Sequence, residues 1–186
     1  MNYNKNLTFF SLFKPILEPK HWVYTAKQKV INSHKRTLLG PFWILVHLII
    51  FTMALGSVYS DLFDVKFFAY ISYLATGFMG WIWIASIISA SGTIFIEQSN
   101  MIKSSPIQLS NLIWSHCMYN LIVFIYQTPL LIFFYTFGIT EFNINFLFII
   151  PSLLIVFIIN LSVAAILSLL IPRYLDVQKL ISSSII

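Results

Sequence analysis

The residues on which chemistry could rest are His116, Asn120 and Gln127, which stand in a run from Ser104 to Thr140 that holds no Asp, Glu, Lys or Arg. At about 100° per residue they fall within about 40° of one helical line, with Tyr119 and Tyr126 next to it and Pro129 interrupting the backbone ladder beyond. A stripe of this kind offers donors and acceptors without fixed charge. It suits two roles: lining a water-filled path for hydroxyl-rich cargo, or tying one helix to another by hydrogen bonds. His47, four residues after Trp43, has the same two readings, and a lone histidine there is more often a packed, hydrogen-bonded one.

Other chemistry lacks its residues. The six acids, Glu18, Asp61, Asp64, Glu97, Glu141 and Asp176, are scattered rather than paired for acid–base work. None of the six glycines precedes a lysine, so there is no phosphate-binding loop, and neither H-E-x-x-H nor G-x-S-x-G occurs. The single cysteine, Cys117, cannot form an internal disulfide and sits in an apolar stretch away from other metal-ligating side chains. We therefore expect no catalytic residue, no metal, no bound cofactor and no ATP hydrolysis by this chain.

The elements that must position these side chains follow from where charge is missing. Of 186 residues, 59% are hydrophobic and only 9% charged, against about 25% charged in a soluble domain. The uncharged gaps between Arg36 and Asp61, Lys66 and Glu97, Lys103 and Glu141, and Glu141 and Arg173 hold 24, 30, 37 and 31 residues. Crossing hydrocarbon takes about 20. The expected fold is all-α: a polytopic helical membrane protein with four spans at about 41–60, 67–93, 113–137 and 146–171. With no charge inside any span, an ion-coupled carrier is disfavoured. Small and polar residues recur every four positions at Thr52, Gly56 and Ser60, at Ser72, Thr76 and Gly80, and at Asn160, Ala164 and Ser168. Such seams let helices approach closely.

Alternating the loops puts ten of the eleven cations on one side, with only Lys66 opposite. The positive-inside rule then predicts a cytoplasmic N-terminus and a cytoplasmic 172–186 segment. The net charge of +5 is explained by this topology, so no nucleic-acid partner is expected. In the 1–40 segment, Trp22, Val23, Ala26 and Val30 share one helical arc of about 100° while Lys20, Lys29 and the 32–36 run are polar or basic, which predicts an interfacial helix resting on membrane lipid. The first span starts too far in for a cleaved secretory signal. Gly40 and Pro41 make a sharp entrance, glycine suiting a helix C-terminus and proline the first turn of the next helix. Residues 180–186 carry no charge and read as the start of a fifth span that is cut short.

Three stretches together resemble a family. Arg36-Thr37-Leu38-Leu39-Gly40-Pro41-Phe42-Trp43, between the basic segment and the first span, is similar to the membrane-entrance motif of ABC-2-type permeases that export polysaccharides, in particular O-antigen and related lipopolysaccharide chains. Phe95 to Lys103, followed by Pro106 and Leu109, is similar to that family's cytoplasmic loop, and Arg173-Tyr174-Leu175-Asp176-Val177 to the segment ahead of its fifth span. Relatives carry about six spans, so the likeness implies a chain truncated by two. It further implies a homodimer in the bacterial inner membrane, docked on two copies of a separate ATP-binding cassette ATPase and moving a lipid-linked polysaccharide outward. Glu97, Lys103 and Pro106 become the candidates for contact with the cassette; Glu97 and Lys103 could equally be charges that mark the membrane edge. Other cargo (teichoic acid, capsule, a drug), a membrane enzyme acting on lipid-linked glycans, and a four-helix accessory protein are the competing readings.

Overall fold

The computed structural model describes residue 15, residues 19–33, residue 35, and residues 38–104, 109–138 and 148–185. Among these, every regular element is helical. The order is α1 (Pro19–Ser33), a 3-10 turn (Gly40–Phe42), α2 (Trp43–Leu62), α3 (Phe67–Ser91), α4 (Ile94–Glu97), α5 (Ser99–Ser104), α6 (Leu109–Gly138), α7 (Ile149–Leu170) and α8 (Leu175–Ile185). Four of them, α2, α3, α6 and α7, are long and apolar enough to cross a membrane. The chain is an all-α, polytopic membrane protein.

The spans lie close to the stretches read from charge, with one informative difference. α6 begins at Leu109 rather than near 113, and its 30 residues make a rod about 45 Å long, longer than the hydrocarbon is thick. Ser110 and Asn111 mark the edge of the apolar run, yet the helix continues through them, because Ser110 and Leu112 are buried against neighbouring helices. Pro129 is accommodated inside the same helix.

α3 is the centre of the bundle and packs on α2, α6, α7 and α8. Leu48, Thr52, Gly56 and Ser60 of α2, four residues apart, form a buried seam. At Gly56 the approach is so close that an added Cβ would come within 2.6 Å of Ile71 Cγ1. One turn earlier Phe51 stacks on Phe78, ring centroids 4.0 Å apart. The α2–α3 turn places Asp64 at φ +51°, a left-handed conformation that Asp tolerates better than most residues. α3 and α6 run antiparallel: Ser72 Oγ donates to Phe134 O at 2.9 Å, while Ser86, further along α3, pairs with Asn120, earlier on α6. The main core lies where α3, α6 and α7 meet, built from Trp83, Ile87, Ile113, Trp114, Cys117, Leu161, Ala164 and Ala165.

Two expectations change here. The helix preceding the first span stops at Ser33, so Gly40 does not end it. Gly40, at φ +55°, instead opens the 3-10 turn that leads into α2, a backbone conformation open to glycine at no steric cost. The apolar arc of α1 is also used differently. Ala26 and Val30 are buried, and the Trp22 ring sits 5.2 Å from that of Trp114. The face predicted to rest on lipid is pressed against α6.

Candidate functional site

Within the polar stripe of α6, Asn120 forms a buried bridge to α3. His116, Asn120 and Gln127 are each only 4% exposed. Asn120 Nδ2 donates to His116 O at 3.0 Å and lies 3.2 Å from His116 Nε2. The Ser86 hydroxyl donates to Asn120 Oδ1 at 2.8 Å, with Trp83 O at 3.0 Å as its alternative acceptor. The four-residue spacing of His116 and Asn120 stacks them on one face of α6, and the antiparallel register brings Ser86 to meet them. Lining a path would require a face open to water. In this chain the three are buried, and the bond that joins two helices is that of Ser86 to Asn120, while His116 pairs with Asn120 within α6.

A groove of about 460 Å³ opens beside this bridge, between α3, α6 and α7. Its walls include Gly80, Trp83, Phe124, Leu131 and Val156. Its polar features include Thr76 and Tyr135, whose hydroxyl oxygens are 3.3 Å apart. The helical period groups Thr76 and Gly80 with Ser72 in one packing seam; Ser72 is buried, whereas the other two line this groove. The seam of α7 does pack: Asn160, Ala164 and Ser168 are all buried, and Asn160 Nδ2 has no hydrogen-bond partner among the described residues.

The third region is the end of the bundle where α3 stops and α6 starts. There α4 packs on α6 and α5 follows it. Glu97, exposed at the end of α4, accepts a hydrogen bond from Thr93 Oγ1 at 2.8 Å, and Lys103 is exposed in the last turn of α5. The same end receives α1, where Lys29 Nζ lies 5.2 Å from the centroid of the Tyr119 ring. It also receives α8, tied to α3 by Gln178 Nε2 donating to Ser89 O at 2.8 Å. Gly92 allows that contact, since a Cβ there would collide with Gln178 and Ile171. The one ion pair among the described residues, Lys179 to Asp176 at 4.0 Å, joins two exposed side chains on α8.

Glu97 and Lys103 thus share a short helical elbow. Arg36 and Pro106 lie outside the described residues. Gly40 and Pro41 form the 3-10 turn and Trp43 opens α2, exposed on its first turn. His47 is exposed too, facing a groove between α2 and α3 rather than packed inside. The sequence reading missed three features: the Thr76–Tyr135 pair, the role of Ser86 as partner of Asn120, and the anchoring of α8 by Gln178. Each depends on which helices become neighbours. Searches against family models and against curated proteins find no match to this chain.

Proposed function

We propose that this chain is a permease subunit of an ATP-binding cassette exporter that moves a lipid-linked polysaccharide of the O-antigen or lipopolysaccharide type across the bacterial inner membrane. It would work as a homodimer, with its N-terminus in the cytoplasm and ATP hydrolysed by a separate cassette subunit. The observation that carries this reading is the asymmetry of the bundle. Four spans with uncharged interiors end, on one side, in short helices that bear Lys20, Lys27, Lys29, Lys103 and Lys179. Active transport through spans without intramembrane carboxylates would draw its energy from outside the membrane. A ledge of short surface helices is a natural seat for a soluble motor, with Glu97 and Lys103 exposed on its elbow. The resemblance of residues 36–43, 95–109 and 173–177 supplies the cargo class.

Affinity purification of the tagged chain from its native membrane should bring down a cassette ATPase. Deleting its gene should leave completed polysaccharide in the cytoplasm and strip it from the cell surface. Unchanged surface polymer in the deletion strain, with no rise inside, would overturn the export assignment.

A further inference from the structure

A second groove, of about 360 Å³, lies on the outside of the bundle between α2 and α3, lined by His47, Phe51, Phe78, Trp81, Ser86 and Ser89 among others. Its composition changes along its length. His47 is four residues into α2, about 6 Å from its start, and Ser89 is two residues from the end of α3, about 3 Å. Phe51 lies about 12 Å into α2, while Trp81 and Phe78 are about 15 and 20 Å from the end of α3. The imidazole and hydroxyls therefore stand near the end of the bundle, and the aromatic rings lie deeper. Polar at the rim and apolar toward the middle is the order of a membrane lipid, headgroup first and chain below.

The polar groups also have defined capacities. An imidazole always carries at least one N–H donor, and His47 presents it outward, as an exposed side chain in a stretch otherwise apolar from Pro41 to Phe51. Ser86 spends its proton inward on Asn120 Oδ1 or Trp83 O, which leaves its oxygen as an acceptor toward the groove. Ser89 adds a hydroxyl, its carbonyl already taken by Gln178. A phosphate beside a hydroxyl-bearing headgroup matches this set: anionic oxygens for His47 and Ser89, a hydroxyl for Ser86. The surrounding charge agrees, since this end of the bundle carries Lys20, Lys27, Lys29, Lys35, Lys103, Arg173 and Lys179 against only Glu97 and Asp176 among the described residues.

We propose that the α2–α3 groove is a binding site for an anionic glycerophospholipid of the bilayer, with its phosphate on His47 and its acyl chain along Phe51, Phe78 and Trp81. The site does not depend on the transport reading. Its test uses the purified full chain in detergent, with retained lipid counted by native mass spectrometry after adding phosphatidylglycerol, uncharged diacylglycerol or a polyprenyl phosphate. Wild type should hold one phosphatidylglycerol and no diacylglycerol. His47→Leu should weaken retention about tenfold, the worth of one charge-assisted hydrogen bond, and His47→Lys should restore it. Trp81→Leu, on the exposed side of α3, should also weaken it, which keeps the test open if His47→Leu misfolds. Equal retention by wild type and His47→Leu, or equal retention of diacylglycerol, would overturn the site. Displacement of phosphatidylglycerol by equimolar polyprenyl phosphate would overturn the assignment to a bilayer lipid and make the groove a cargo site.

Discussion

At Asn120 one carboxamide serves two helices: its oxygen accepts from Ser86 on α3 while its nitrogen holds His116 one turn back on α6. Within a lipid-surrounded bundle such bonds contribute modestly, because the separated helices also find partners for their polar groups. A double-mutant cycle of Ser86→Ala and Asn120→Ala should return a coupling of about 0.6 kcal/mol, and no more than about 1.7 kcal/mol. Reversible unfolding in mixed detergent micelles measures it. A coupling indistinguishable from zero would mean that the two side chains are neighbours without being partners.

At the scale of the elements, the α2–α3 contact tests whether the small-residue seam is a contact or a coincidence of composition. Gly56 is buried and faces Ile71, itself fully buried, so Gly56→Ala forces the packed Ile71 side chain to shift. Overpacking of this kind costs about 1–3 kcal/mol. Gly77, on α3, has nothing within 4 Å of an added Cβ. Gly77→Ala should therefore stay within about 1 kcal/mol of wild type and stabilise if anything, since glycine weakens a helix interior. Thermal unfolding of the two variants side by side checks the contrast. Equal effects would show that helix propensity, not packing, governs both positions.

Over the whole molecule, the distribution of charge predicts orientation. The sole cysteine, Cys117, is fully buried, so single cysteines introduced elsewhere report on a quiet background. In intact cells a membrane-impermeant maleimide should label Asp64→Cys in the α2–α3 turn. It should reach Lys27→Cys and Lys103→Cys only after the membrane is opened. Labelling of Lys27→Cys in intact cells would invert the topology and remove the basis for a cytoplasmic motor.

The four spans and their alternation were legible in the sequence, because a charge buried in hydrocarbon is costly enough that its absence over 24 to 37 residues marks a span. So was the seam of Thr52, Gly56 and Ser60, which the helical period sets on one face. What covers an apolar or polar face was not legible. Lipid and a neighbouring helix are equally apolar, so the arc of Ala26 and Val30 looked ready for the membrane until α6 took it. The spacing of His116 and Asn120 did not name a partner for either, and it is the register of α3 that brings Ser86 within 2.8 Å of Asn120. His47, with the same sequence signature as His116, ended on the outside because α2 sits at the edge of the bundle and α6 is covered by α1, α3 and α7. Periodicity along one chain fixes which residues share a face, and hence the helices themselves. Which face meets protein, lipid or groove is a property of pairs of helices, and only tertiary packing decides it.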